Sequence, residues 1–174
     1  MLLAANRQPV IMEYITLAKD HLQWQELFTT EANLLRHELG DDIVALHHVG
    51  STAVPDLLAK PVIDIALESI VFPPSDAVIR KLELSGYEYK GEAGVPGRYF
   101  FTKGQPRKFN LHYCAKDSNT VRKQIAFRDK LIESLHLKNK YEKIKLENYK
   151  DRDIDSSEYA GAKSGFVEYV LGLK

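Results

Sequence analysis

The sequence predicts an α+β domain. Two observations carry that prediction. Helical and strand-like segments follow the order α-β-β-α-β-β-β-α-α-α, not a regular βαβα alternation, which disfavours a doubly wound sheet. The apolar spacing also changes near Ser118, from strand-like runs before it to helical stripes after it.

Each element has its own local reason. Asp20 is an N-cap for a helix to about Leu39, and Gly40 stops it. Trp24, Phe28, Ala32, Leu35 and Leu39 form its apolar stripe. Ile43 to Val49 is β-prone, and Gly50 to Pro55 is turn chemistry. Pro61 introduces a strand from Val62 to Glu68, which Pro73-Pro74 closes. Ser75 or Asp76 caps a helix through about Leu84, ended by Ser85-Gly86. Tyr87–Lys90, Arg98–Lys103 and Phe109–Ala115 read as strands, separated by Gly91, Gly94, Pro96, Gly97, Gly104 and Pro106. Ile125, Leu131, Ile132 and Leu135 mark one later helix. Tyr141, Ile144, Lys145 and Tyr149 mark another, and Ser156-Ser157-Glu158 caps a last one through about Leu171.

At 174 residues the expectation is one domain spanning 1–174. A chain of that length can bury roughly two-thirds of its unfolded surface without disulfides or a structural metal. Lys+Arg and Asp+Glu are 24 each, so the formal net charge is zero. That balance disfavours a protein that coats DNA, or a polybasic membrane binder, but not a local basic patch. The single cysteine, Cys114, excludes an internal disulfide and fits a cytoplasmic protein. The opening segment MLLAANRQPVIMEY lacks the charged start and apolar run of a secretory signal, and no 18-residue apolar stretch exists. No membrane partner is expected.

The segment richest in chemistry runs from His48-Val49-Gly50-Ser51-Thr52 to Lys60-Pro61-Val62-Ile63-Asp64-Ile65, with twelve residues between Ser51 and Asp64. Gly50 would let backbone N–H groups approach a phosphate closely. Ser51 or Thr52 would donate a hydroxyl to it. Asp64 would hold Mg²⁺, a hard cation that prefers oxygen. Lys60 would neutralise phosphate as a point charge, its alternative being an ordinary loop lysine. Asp64 itself stands among Val62, Ile63, Ile65 and Leu67, and a carboxylate in an apolar strand needs a partner or a metal.

This Gly-Ser turn followed by an acid on the next strand resembles the signature of the nucleotidyltransferase superfamily that includes DNA polymerase beta. The GSTAVP loop and KPVIDI strand are more closely similar to the GrpB family. Trp24, Phe28, Val95-Pro96-Gly97-Arg98, Phe100, Leu111-His112, Phe127-Arg128-Asp129, Tyr159, Ala162-Lys163 and Phe166 extend the resemblance over nearly the whole chain. It implies a nucleotidyltransferase-like mixed sheet flanked by helices, with a helical C-terminal part. It also implies Mg²⁺-dependent nucleotidyl or related phosphoryl transfer to a small acceptor. Such domains also occur joined to a dephospho-coenzyme A kinase domain, which points towards coenzyme A metabolism. The alternative is a catalytically degenerate module that binds a nucleotide or coenzyme-like phosphate ester.

Two residues depart from the family pattern. Asp56 stands where the family has glycine, at a cost if the backbone is left-handed. Ala66 stands where the superfamily has its second carboxylate. Glu68 shares that strand face but lies roughly 13 Å from Asp64, at ~3.3 Å per residue.

His112, with Asn110 and Cys114 on its face, reads as a proton carrier or ligand contact near Asp64. Zinc is a weaker reading, because no paired Cys or His spacing supports it. Arg98 suits bidentate phosphate recognition. Arg107-Lys108 reads as a solvated turn, with a place beside Lys60 and Arg98 around the Gly50 loop as the alternative. Arg128-Asp129 reads as an internal ion pair. The charged run Lys138 to Arg152 reads as a solvated helix face, and nucleic acid is an unlikely partner because acids dilute its charge.

Overall fold

The computed structural model describes residues 17–150 and 156–173. Residues 1–14, Asp151 and Arg152 therefore fall outside the described residues, as do the side chains of Tyr149, Ser156, Ser157, Glu158, Tyr159 and Ala162.

The chain runs α1 (His21–Leu39), β1 (Ile43–Val49), β2 (Ile63–Ser69), α2 (Asp76–Leu84), β3 (Tyr87–Tyr89), β4 (Arg98–Lys103), β5 (Phe109–Ala115), α3 (Asn119–Glu133), α4 (Leu135–Lys150) and α5 (Ser156–Gly172). This is the expected α+β order. Asp20 caps α1 by accepting the Gln23 N–H, and Gly40 ends it at φ 60°. Ser75 caps α2 by accepting the Val78 N–H.

The strands form one mixed sheet, ordered β1-β2-β5-β4-β3. Among the described residues only β2 and β5 run parallel. Strand alternation gives the sheet two different faces. Leu46, Ile63, Ile65, Leu67, Phe101, Leu111 and Tyr113 pack on Trp24, Leu35 and Leu39 of α1 and on Val78 and Leu82 of α2. The opposite face carries Asp64, Ala66 and Glu68 beside Asn110, His112 and Cys114. There α3 covers Val49, Ala66 and Cys114 with Val121 and Ile125.

The C-terminal helices build a separate apolar cluster from Leu131, Leu137, Tyr141, Phe166 and Val170. Val54 and Leu57, from the loop after β1, insert into it. That loop is therefore held between the sheet and the helices. Leu135 opens α4 and does not share a helix with Ile125, Leu131 and Ile132, contrary to the sequence reading; Ile132 and Leu135 are 47% and 65% exposed. The reason is a break at Ser134: its N–H ends α3 on the Lys130 carbonyl, and its Oγ accepts the Leu137 N–H to open α4. Among the described residues no helix is long and apolar enough to cross a membrane.

Candidate functional site

Register places the site. Val49, the last residue of β1, pairs with Asp64, the second residue of β2. The residue after Val49 must therefore turn past the Asp64 side chain. Gly50 does so at φ 73° and ψ −170°, a conformation that glycine adopts readily. A Cβ on Gly50 would lie 2.3 Å from Asp64 Oδ2. A 3₁₀ turn, Ser51–Ala53, follows at once.

The parallel pairing with β5 surrounds the other carboxylate oxygen. Asp64 sits opposite Asn110, and Ala66 sits opposite His112. Asn110 Nδ2 donates to Asp64 Oδ1 at 2.8 Å, and His112 Nε2 lies 3.5 Å from the same oxygen. Arg98 Nη1 lies 3.4 Å from His112 Nδ1. A guanidinium only donates, so in the neutral ring Nδ1 would be the acceptor and Nε2 would carry the proton towards Asp64, while a charged ring would also attract the carboxylate. Burial pushes the Asp64 carboxyl upward. The hydrogen bond and attraction of His112, the Asn110 amide and the charge of Lys163 outweigh it, so its pKa is lowered. Asp64 is thus ionised at neutral pH, with 27% of its side chain open to solvent.

The other residues singled out in the sequence divide into two groups. Ser51 lies on the site side, in hydrogen-bonding contact with the Tyr141 hydroxyl. Thr52 is turned inward and buried, donating to the Val62 carbonyl at 3.4 Å, with His48 Nε2 3.0 Å from its hydroxyl. Lys60 is exposed on the same loop, and its pKa is lowered by partial burial and by Lys163. Arg98 is committed within the protein: Nη2 donates to the carbonyls of Glu92 and Ala93 at 3.1 and 3.0 Å, and the guanidinium lies over Phe100. Arg107 and Lys108 lie in an exposed turn. Glu68 is used elsewhere, accepting the Ser118 N–H at 3.2 Å and lying 3.5 Å from His47. Arg128 pairs with Asp129 at 2.7 Å, as read, and also donates to the His48 carbonyl at 2.8 Å.

Helix α4 supplies what the sequence reading missed. Lys138, Tyr141, Glu142 and Lys145 follow helical spacing and meet the loop after β1. Lys138 Nζ donates to the Pro55 carbonyl at 3.1 Å, Glu142 Oε2 accepts the Leu58 N–H at 3.0 Å, and Lys145 Nζ donates to the Leu58 carbonyl. Lys145 is only 5% exposed, with its Nζ 4.9 Å from the centre of the Tyr141 ring. Burial, then Lys163, pulls its pKa down to about 8, against the opposing effect of Glu142. Tyr141 is pushed up to about 12, by burial first and by the charge of Asp64, with Ser51 opposing. The stretch read as a solvated face therefore contains a buried lysine. The signal was available in Lys145 itself, a cation on the stripe of Tyr141 and Ile144.

A family model described as GrpB protein matches residues 14–172. The chain belongs to the GrpB family. A solved GrpB structure from Enterococcus faecalis is similar at 30% identity and a TM-score of 0.79, covering 89% of this chain and 94% of that one. The UPF0157 protein YqkA of Bacillus subtilis is 28% identical over 147 residues, or 84% of this chain. The match spans only 43% of YqkA's length. A more remote likeness, at 16% identity and a TM-score of 0.46, is to Cid1, described as having RNA terminal uridylyl transferase activity; it covers 75% of this chain and 44% of Cid1.

Within this GrpB chain, Asp56 adopts φ 59°, so the position keeps a left-handed backbone although glycine is absent. Asp56→Gly is expected to raise stability by up to about 1 kcal/mol, since glycine removes the left-handed penalty but loses more entropy on folding. Urea unfolding measures it. A clear loss of stability would show that the Asp56 side chain makes a needed contact.

Proposed function

We propose that this GrpB protein binds a small phosphorylated ligand, a nucleotide or coenzyme-like phosphate ester, against the Gly50-Ser51 turn, on a transferase-type scaffold without the usual metal-binding acids. One observation carries the reading: a Gly-Ser turn packs directly on a partly solvent-open Asp64, and Lys163 acts electrostatically on Asp64, Lys60 and Lys145. Ser51 would donate to a phosphate oxygen. The lysines would offset its charge, and Lys60 and Lys163 would do so closer to solvent than Lys145. His112 and Asn110 would hold the Asp64 carboxylate in one orientation. Arg98 would position His112 instead of touching phosphate.

The Mg²⁺ expected from the family resemblance meets a poor donor set. Asp64 Oδ1 is engaged by N–H donors, and Ala66 offers no ligand. Among the described residues, no group of three or more His, Cys, Asp or Glu could hold a metal.

Calorimetry with ATP, coenzyme A and dephospho-coenzyme A tests the binding reading. At least one should bind without turnover; binding of none would remove it. A second reading, nucleotidyl transfer to a small acceptor, draws on the ionised state of Asp64 beside the Gly50-Ser51 turn. It requires that the protein release pyrophosphate from labelled nucleoside triphosphates and that Asp64→Ala stop it. Equal release by both proteins would eliminate it.

A further inference from the structure

Of the seven phenylalanines in the chain, Phe101, Phe109 and Phe166 are buried and the other four are half-buried. The half-buried Phe28, Phe72 and Phe127 each pack against an apolar cluster. Phe100 is the exception: among the described residues it joins none of the three clusters. Strand alternation explains where it points. Its neighbours in β4, Tyr99 and Phe101, turn towards α1 and α2 and meet the main core there. Phe100 therefore stands on the opposite face, the one that carries Asp64. An aromatic ring stabilises a fold mainly by burying its area against other apolar groups, so a ring kept out of every cluster adds little.

Polar groups hold that ring instead. Arg98 Cζ lies 4.8 Å from the ring centre, and the His112 ring centre lies 5.3 Å away at a tilt of 51°. Both partners are themselves anchored. Arg98 Nη2 donates to the Glu92 and Ala93 carbonyls, and its Nη1 lies 3.4 Å from His112 Nδ1. His112 Nε2 in turn lies 3.5 Å from Asp64 Oδ1. Phe100 is thus fixed in orientation while part of its surface stays open to solvent.

Register relates this ring to the Gly50-Ser51 turn. Phe100 pairs with His112, and His112 pairs with Ala66, two residues beyond Asp64. Only β5 separates β4 from β2. Across the strands the ring and Asp64 are therefore roughly 10 Å apart, two spacings of ~4.8 Å. A flat ring joined to a phosphate chain spans that gap, and a bare phosphate does not.

We propose that Phe100 is the stacking platform for a flat unsaturated ring carried by the phosphorylated ligand. The ligand would lie across β5, with its phosphate at the Gly50-Ser51 turn and its ring on β4. The inference rests on the phosphorylated-ligand reading above and adds the other half of the ligand. Arg98 covers one side of the Phe100 ring, and the ligand's ring takes the open part in an offset stack. Every such ring has a π-face, so the platform selects for planarity and not for one base.

The test is calorimetry on the full chain with four probes. ATP and coenzyme A carry both a ring and phosphates, sodium pyrophosphate has no ring, and adenosine has no phosphate. Phe100→Leu keeps apolar bulk but removes the flat ring. It should weaken ATP or coenzyme A about tenfold, the scale of one base stacked on an aromatic side chain, and leave pyrophosphate unchanged. Phe100→Trp should keep wild-type affinity or better. Equal losses for ATP and pyrophosphate would make Phe100 a packing residue, and unchanged ATP affinity would put the ring elsewhere. Either result overturns the platform and leaves the phosphate reading intact. Adenosine bound as tightly as ATP and weakened by Phe100→Leu, with no binding of pyrophosphate, keeps the platform and removes the phosphate reading. No binding of any of the four removes both. If circular dichroism shows that Phe100→Leu does not fold, Phe100→Trp decides. Its indole fluorescence should change on adding ATP and not on adding pyrophosphate, and equal responses to the two would overturn the proposal.

Discussion

Gly50→Ala should destabilise this GrpB protein by about 3 kcal/mol, combining roughly 1–3 kcal/mol for a non-glycine backbone in this region with roughly 1–3 kcal/mol for overpacking. The backbone at φ 73° and ψ −170° is one that side-chain-bearing residues avoid. The new methyl would also meet Asp64 Oδ2 at 2.3 Å, its Cγ at 3.0 Å and its Cβ at 3.1 Å. Asp64 cannot simply swing away, because Asn110 holds Oδ1 and movement would leave a partly buried carboxylate poorly paired. In thermal melts the loss corresponds to a fall in Tm of roughly 10 °C for a chain of this size. A double-mutant cycle separates the two causes. In an Asp64→Ala background the carboxylate contact is gone, so Gly50→Ala should cost about 1–2 kcal/mol less than it does in wild type. Strict additivity would mean that the packing of the turn on Asp64 contributes nothing.

That contact also shows how far the sequence could be read. Local signals sufficed for the elements: Asp20 and Gly40 bound α1, Ser75 caps α2, and β4 and β5 begin and end where their alternation does. The pairing of Gly50-Ser51 with Asp64 was legible because both lie in one short segment whose strands are neighbours. His112 near Asp64 was legible from strand alternation together with the family resemblance. The contributions of α4 and α5 were not. Lys138, Glu142 and Lys145 meet the backbone of Pro55 and Leu58, more than eighty residues away in sequence. Backbone groups exist at every residue, so such contacts leave no mark on the loop's side-chain pattern. Arg98 shows a related limit. Its residue type suits phosphate, but its partners are the carbonyls of Glu92 and Ala93, which any sequence would provide. The zero net charge conceals the same redistribution. Lys163 acts electrostatically on both Lys60 and Lys145, whereas Arg107 lies in an exposed turn.

Acid should weaken the fold through His48, by about 2 kcal/mol between pH 7 and pH 4.5. Its ring is 6% exposed and stacks on Phe28 with centroids 4.9 Å apart. Burial is the main reason its pKa falls from 6.5 to about 4; Asp64 opposes the fall, and His21 and Arg128 add to it. The unfolded chain therefore takes up a proton near pH 6.5 that the folded chain refuses until about pH 4. Between those values the unfolded state binds more protons, so stability rises with pH, is fully present above 6.5 and is lost as pH falls towards 4. Denaturant titrations across this window should show the slope in wild type and lose most of it in His48→Gln, whose side chain does not titrate. An unchanged slope in the variant would mean that His48 is not the group responsible. The consequence reaches the site, because His48 Nε2 faces the Thr52 hydroxyl inside the turn and its carbonyl is held by Arg128. A proton forced onto the ring sets a second positive charge beside Arg128 at a buried position. The Ser51–Ala53 turn is where that repulsion acts first, so pyrophosphate affinity should fall along with stability below about pH 5, and less in His48→Gln.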